Sequence, residues 1–472
     1  MTRRISLLLA LLLAGCASQE GLHTRATPVD AARLASGKSL QGEPQSAAGW
    51  PAADWWKELA DPQLDRLIDE ALAGSPNLRL ARARVDRALA LAEAAGAPRD
   101  VQVSLGVDAT RQRLTKNGIY PPPFGGQWIW QNQAQINFSY EFDFWGRNGA
   151  AYAAALGEVR AAQADAQAAR LVLSAAIAHA YVQLARSDDQ LALARDTLAQ
   201  RERQLALVRE RLAAGLDSRV ELKQAEAALP EARQRIAQIE ESIVLSRHQI
   251  AALLGEGPDR GLALEAPKLA ARATPALPTV LPADLIGRRP DIVASRWRVE
   301  AAAQDIKNAR AQFYPNVNLV AFAGLQSITW SKFGDASSRT LGAGPAVRLP
   351  LFDSAGLRGN LGARNADYDA AVEQYNQTLA DALREVADQL AIFRSLDRQD
   401  TEVAASLAAV REAYDLALVR YRSGLANYLA VLSVEAQLTT ARALAVELRS
   451  RRLDTTIDLA RSLGGGYLKN EE

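Results

Sequence analysis

Hydrophobic and polar positions along this chain follow two different periods. In residues 101–110, Val101, Val103, Leu105, Val107 and Ala109 alternate with Gln102, Ser104, Gly106, Asp108 and Thr110. Residues 134–144 repeat the pattern, with Ala134, Ile136, Phe138, Tyr140, Phe142 and Phe144 set against Gln135, Asn137, Ser139, Glu141 and Asp143. In 341–351, Leu341, Ala343, Pro345, Val347, Leu349 and Leu351 form one face. The segment 317–325 alternates less cleanly, because Val320 and Phe322 fall on its second face. Period-two alternation predicts a strand with two unlike faces. Segments of about ten residues suit a tilted transmembrane strand, and a polar second face suits a water-filled lumen.

Elsewhere the pattern is helical. Neither Gly nor Pro occurs between Gly157 and Gly215, nor between Gly362 and Gly424. At 1.5 Å per residue these runs predict rods of roughly 85–90 Å. Leu191, Leu198, Leu205 and Leu212 recur every seven residues, as in coiled helices. Pro230 is expected to kink the return helix.

The two patterns occur twice, in the same order. Residues 211–229 laid over 420–438 give six identities: Arg211/Arg420, Gly215/Gly424, Leu216/Leu425, Glu226/Glu435, Ala227/Ala436 and Leu229/Leu438. Leu254-Gly255 matches Leu463-Gly464 at the same offset, and Pro76, Arg82, Arg84 and Val85 match Pro290, Arg296, Arg298 and Val299 at a similar one. A duplicated unit of helix, two strands, long helix, turn and helix explains these matches. The expected divisions are a first repeat over 61–255, a Pro/Gly-rich connector over 256–283, a second repeat over 284–466 and a tail over 467–472.

Composition sharpens this picture. The chain is 49% hydrophobic but only 6% aromatic. Its 8 Trp, 11 Tyr and 9 Phe are not spread evenly: fifteen of them fall in 101–145 and 313–352, many at strand ends, where membrane barrels carry aromatic girdles. Four strands cannot close a barrel, and an open edge is not tolerated in lipid. The chain is therefore expected to oligomerise, three copies supplying twelve strands. A net charge of +1 leaves no basic footprint for nucleic acid. One Cys and three His argue against a disulfide framework and a metal site. His23 lies in the N-terminal tether, His179 and His248 read as packing or surface residues of Ala/Leu-rich helices, Asp188-Asp189 reads as a solvated helix face, and no catalytic constellation or phosphate-binding loop is present.

The N-terminus reads as an export signal. Arg3 and Arg4 precede the apolar run Ile5–Ala14, too short at ~15 Å to span a bilayer. It ends in Leu13-Ala14-Gly15-Cys16, which resembles the lipobox of bacterial lipoproteins. That resemblance implies cleavage of residues 1–15 and acylation of Cys16, palmitate included; Ala17 in the next position favours the outer membrane. Residues 16–60 are expected to form a tether.

The whole pattern resembles the outer-membrane efflux channels, the TolC-like family, and within it the lipoprotein subgroup of the OprM/NodT type. The carriers are the lipobox, Trp55-Trp56 leading into Asp61-Pro62-Gln63-Leu64, the duplicated unit, Arg420-Tyr421-Arg422-Ser423-Gly424, Asn427-Tyr428-Leu429-Ala430-Val431-Leu432, and Leu463-Gly464-Gly465-Gly466. The implied fold is a mixed α/β membrane protein: a long α-helical coiled barrel plus a four-strand contribution to a trimeric, 12-stranded transmembrane β-barrel. The implied function is passive conduction of drugs or other small molecules out of the periplasm, with no enzymatic activity and no cofactor beyond the lipid on Cys16. The implied partners are two further copies, the bilayer, a periplasmic membrane-fusion adaptor and an inner-membrane pump of the resistance-nodulation-division type.

The resemblance also implies that Gly215, Leu216, Asp217, Gly424, Leu425 and Ala426 form the periplasmic tip that meets the adaptor. Many relatives carry an Asp after the Leu-x-Val-Leu run, forming a ring at the constriction. Here that place is Ser433, and another acidic position is Ala430. Arg219, Glu221 and Ser433 are the gate candidates that remain, although Arg219 and Glu221 also read as plain solvated helix residues. The competing reading is a periplasmic coiled-coil lipoprotein acting as adaptor or structural protein, with a small soluble β-domain.

Overall fold

The computed structural model describes residues 19–30, 33–34, 38–39, 50–119, 122–270, 281–350 and 354–468. Cys16 and the signal segment lie outside the described residues, as do Tyr120, Phe352 and residues 469–472 of the tail.

The elements run through the same order twice. The first copy contains α1 (Pro62–Gly74), α2 (Pro76–Gly96), β1 (Gln102–Arg113), β2 (Trp128–Phe142), α3 (Arg147–Ala213) and α4 (Arg219–Leu254). After the single turn α5 (Asp259–Leu262) the second copy repeats it as α6 (Leu281–Arg288), α7 (Pro290–Ala311), β3 (Asn316–Ser327), β4 (Arg339–Arg348), α8 (Ser354–Arg422) and α9 (Tyr428–Ser462). The four strands form one antiparallel sheet in the order β1-β2-β3-β4. The register puts Leu105, Ile136, Ala323 and Leu341 in one row and Val103, Phe138, Ala321 and Ala343 in the next.

Several boundaries differ from the sequence expectation. The long helices α3 and α8 have 67 and 69 residues, about 100 Å each, because they start before the Gly-free runs. Gly157 does not end a helix; a Cβ there would meet Ala301 of α7, so it permits a close helix approach. β2 begins at Trp128, since Trp128, Ile129 and Trp130 pair with Arg113, Gln112 and Arg111. β4 stops at Arg348, short of Pro350, which has no N–H for a ladder. The return helix α4 runs unbroken through Pro230.

The chain divides into two compact units: 1–28, 84–162 and 294–376 in the first, and 29–83, 163–293 and 377–472 in the second. In the first unit the N-terminal segment is docked. The backbone N–H groups of Arg25 and Ala26 donate to the Asp369 carboxylate, both at 2.9 Å, and Leu22 packs with Phe313, Leu357 and Leu361.

In the second unit the stretch expected as tether ends early. Trp55 and Trp56 are buried in a short helical turn, Trp55–Leu59, with their rings edge to face at 5.9 Å. Asp61 then caps α1, accepting from the Gln63 N–H at 2.9 Å, with Pro62 at the first helical position. The same carboxylate accepts from the Tyr181 hydroxyl at 2.8 Å and from the Lys268 N–H at 2.7 Å. Thus the Trp-Trp…Asp-Pro-Gln-Leu segment ties the N-terminal chain to α3 and to the connector. Burial and the Asp61 charge push the Tyr181 phenol well above its usual range.

His179 of α3 is more than a packing residue. Its Nδ1 lies 2.7 Å from Asp454 and its Nε2 3.3 Å from Asp458, both on α9. Burial alone would lower its pKa, but the two carboxylates outweigh it and hold the imidazolium up to about 9. A histidine raised in the folded state stabilises below its unfolded pKa of ~6.5 and loses that contribution as pH rises through 9. With a third of the side chain exposed, the contribution is roughly 1–2 kcal/mol. Thermal unfolding of the purified protein should therefore shift downward between pH 6.5 and 9.5, and His179→Gln should flatten that shift. An equal shift in both proteins would show that another group titrates.

Asp188, read from sequence as solvated, is partly buried, and desolvation raises its pKa; its neighbour Asp189 lies 3.4 Å from Arg449.

Candidate functional site: the two-faced sheet and the paired tips

Among the described residues no layer packs on the sheet. On one face Val103, Leu105, Val107, Leu319, Leu341 and Val347 are exposed, with Ile136 and Phe138 two-fifths exposed. The opposite face carries Gln102, Ser104, Asp108, Gln131, Gln133, Gln135 and Asn137 in register. Its amides form a ladder: Gln112 donates to Gln131 at 2.6 Å, Gln133 to Gln135, and Gln135 to Asn137 at 2.8 Å. A soluble sheet buries its apolar face; this one leaves that face bare and links amides along β2 on the other, where β3 adds Val320 and Phe322. β1 and β4 present unpaired edges.

Both ends carry aromatics. The β1–β2 and β3–β4 loops share one end, where Trp130 meets Trp330 at 5.9 Å and Trp330 meets Phe333 at 5.8 Å. All connections to helices leave from the other end. There Phe142 stacks on Phe144 at 5.7 Å and Trp145 on Tyr314 at 4.5 Å. Two aromatic belts bordering a bare apolar band are the girdles of a membrane barrel.

In the second unit, the far ends of the long helices form two matching turns. In the first, the Leu216 N–H donates to the Arg211 carbonyl at 2.9 Å and the Gly215 N–H to that of Leu212 at 3.0 Å. In the second, Leu425 donates to Arg420 at 2.8 Å and Gly424 to Tyr421 at 3.0 Å. This bonding is the Schellman motif, which needs a left-handed residue, and Gly215 and Gly424 sit at φ +72° and +74°. The turns push Leu216 and Leu425 into solvent, 64% and 71% exposed, flanked by exposed Val220 and Leu429. The return helices are then capped differently. Ser218 and Glu221 form a reciprocal capping box on α4, while the Asn427 side chain accepts from the Ala430 N–H on α9 at 3.1 Å.

Behind the exposed leucines lies a latch between the repeats. The Arg211 guanidinium grips Asp217 with Nε and Nη2 at 3.1 and 3.3 Å, stacks on the Tyr421 ring at 4.5 Å and reaches the Arg422 carbonyl. The Tyr421 hydroxyl also donates to Asp217. The Arg211 and Asp217 side chains are only 10% and 6% exposed. Burial, and then Asp217, push the Tyr421 phenol far above its ordinary value, so it stays a donor. One layer deeper, Gln204 donates to the Tyr414 hydroxyl at 3.0 Å and accepts from Tyr428 at 3.3 Å, and Arg201 pairs with the buried Glu435 at 3.0 Å. Leu198 and Leu205 of the heptad run pack against these tyrosines.

The six tip residues expected from sequence do come together, but in two roles. Gly215, Leu216, Gly424 and Leu425 make the outer surface, and Ala426 is half-buried beside them. Asp217 faces inward and is taken up by Arg211 and Tyr421. Of the gate candidates, Glu221 is held by its own helix cap, and hydrogen bonds from Ser218 keep its carboxyl below the usual range. Arg219 and Ser433 are exposed. Sequence reasoning missed the latch. Its signal was a break in the duplication: Arg211 matches Arg420, but Asp217 matches Ala426, so only the first repeat keeps a partner for its arginine.

A two-faced, open-edged sheet carried on duplicated helical hairpins defines an outer-membrane channel subunit of the barrel-and-helix type. The chain belongs to the outer membrane efflux protein family, whose model matches residues 67–256 and 281–465. It is 41% identical over 363 residues to the fusaric acid resistance protein FusA of Burkholderia cepacia, covering 76% of this chain and 68% of that one. It is 31% identical to the multidrug resistance outer membrane protein MdtP of Escherichia coli K12, covering 89% and 88%. Among solved structures it superposes on the outer membrane protein VceC of Vibrio cholerae with a TM-score of 0.83 at 38% identity, over 88% of this chain and all of that one.

Proposed function

We propose that three copies of this chain form the outer-membrane channel of a tripartite efflux system, conducting drugs or other small molecules passively from periplasm to exterior. The observation that carries the reading is the sheet: a bare apolar face, an opposite face lined with amides on β1 and β2, and two unpaired edges that copies of the same sheet can satisfy. Twelve strands with the amide ladder inward give a wet lumen, and the apolar band faces lipid. Transport through such a pore needs no chemistry from the protein; energy comes from the inner-membrane pump, for which a resistance-nodulation-division type is the expectation, joined through a periplasmic adaptor.

Leu216 and Leu425, with Val220 and Leu429, are the adaptor-facing residues in this reading. Exposed apolar side chains on two adjacent helical turns suit a partner made of apolar helical hairpins. Leu216→Asp with Leu425→Asp should abolish drug resistance in a strain dependent on this channel, while trimers in planar bilayers keep their conductance. Intact resistance would remove the tips from the adaptor contact. Asp217 drops out of the adaptor surface and becomes part of the latch.

Cys16 is the proposed lipid attachment site. The N-terminal chain supports this: Arg358 donates to the Glu20 carbonyl at 3.1 Å and Leu22 packs beside Phe313, so the chain from residue 20 runs at the helical end of the sheet. Four residues reach at most ~14 Å, enough for acyl chains on Cys16 to enter the adjacent leaflet. Metabolic palmitate labelling of wild type and Cys16→Ser decides it; label in both places the lipid elsewhere.

A further inference from the structure

At the helical end of the sheet, within the first unit, the stacked Trp145 and Tyr314 line one side of an open cleft of about 480 Å³. The Trp145 ring is fixed there, its Nε1–H donating to the Pro315 carbonyl at 2.9 Å. The other side is one face of α7: Gln304, Lys307 and Arg310 at three-residue spacing, with Ala311 between the two sides. Lys307 and Arg310 are exposed and make no ion pair among the described residues. The nearby acids are already engaged: Glu141 holds Arg147 at 2.6 Å, and Asp143 accepts from the Gly149 N–H at 2.7 Å. Among the described residues no acidic side chain lines the cleft. Directly beyond it, Phe142 and Phe144 continue into the exposed apolar band of the sheet.

We infer that this cleft binds the headgroup of an anionic phospholipid of the inner leaflet, with Lys307 and Arg310 on the phosphate and the acyl chains laid over the Phe142–Phe144 ladder. The inference rests on the outer-membrane reading and adds a defined lipid site to it. Three features select a lipid over a soluble anion. The cations sit at the depth of an aromatic girdle, where headgroups lie. The flat Trp–Tyr pair offers an amphipathic wall with its polar edge satisfied. The apolar band begins where the cations end, so one molecule with a charged head and two tails covers both surfaces. A free phosphate would use only the first.

The test is native mass spectrometry of the purified, delipidated oligomer with added dioctanoyl phosphatidylglycerol. Wild type should retain one lipid per protomer. Lys307→Gln with Arg310→Gln should weaken binding roughly twenty- to thirty-fold, a factor of about five for each cation at an anionic lipid surface. Lys307→Arg with Arg310→Lys should restore most of it, and Arg411→Gln, an exposed cation of the second unit that does not line the cleft, should change nothing. Equal retention in the Gln variant overturns the proposal. So does full competition by inorganic phosphate, which makes the site a simple anion site, and so does dissociation of the oligomer, which makes these cations a contact between copies. Conductance of the same variants separates the two readings: a conducting channel without lipid selectivity keeps the efflux reading and removes the lipid site.

Discussion

Ile136→Arg should eliminate the channel from the outer membrane, whereas Gln135→Arg, one residue away, should leave assembly intact. Both positions sit at the middle of β2, so they share the same depth. Ile136 lies on the apolar face between Leu105 and Ala323; Gln135 lies on the amide face and donates to Asn137. A lipid-facing arginine near the bilayer midplane costs about 2–4 kcal/mol, and in a trimer the cost is incurred in every copy. A lumen-facing arginine keeps its hydration and costs little. Outer-membrane fractions run on unheated gels should show oligomer for Gln135→Arg and none for Ile136→Arg. Gln135→Arg should also shift the channel toward anion selectivity. If both variants assemble, the apolar face does not meet lipid.

Asp217→Ala should open the tip. The substitution leaves the Arg211 guanidinium stacked under Tyr421 with no carboxylate, and it removes the acceptor of the Tyr421 hydroxyl. Breaking a buried pair by removing one partner costs about 3 kcal/mol at the lower end of the measured range. The Tyr421–Asp217 bond joins the second turn to the first, and without its carboxylate Arg211 holds the second turn through the Tyr421 ring and the Arg422 carbonyl alone, so the two turns separate more easily. Single-channel conductance of purified oligomers should rise several-fold. Tyr421→Phe should give a smaller rise, because the Arg211–Asp217 pair survives it. Unchanged conductance with Asp217→Ala would mean that the latch only stabilises the fold. The same recordings examine Arg219→Ala, Glu221→Ala and Ser433→Ala; no change in any of the three would withdraw them as gate residues.

Much of this was legible in the sequence, for physical reasons. The strands announced themselves because a membrane barrel has two solvents, and alternation such as Val103/Ser104/Leu105 records both. The duplication was legible because turns constrain residues tightly: a Schellman turn needs Gly at one place, so Gly215 and Gly424 align. Boundaries were less legible. Gly149, Gly157, Gly359 and Gly362 lie inside the long helices, and at Gly157 the demand for contact with Ala301 outweighs helix propensity. Trp55 and Trp56 sat in a stretch of low periodicity, which hid how deeply they pack. The latch was illegible for another reason. Its partners Asp217 and Tyr421 are about 200 residues apart in sequence, and Asp217 reads as a tip residue and Tyr421 as part of a family motif, with nothing to join them until the two repeats are brought together.

The unpaired sheet edges and the bare apolar face call for an assembly of several copies in a membrane. The sheet edges, the bare apolar face and the Ala/Leu-rich helices then have partners or lipid, and the few aromatics mark the borders of the membrane. Electron cryo-microscopy of the detergent-solubilised particle tests that claim most directly. Threefold symmetry, with twelve strands closed into one barrel and β1 of each copy paired to β4 of the next, is the predicted result. A monomer, another copy number, or a sheet folded against its own helices would contradict it.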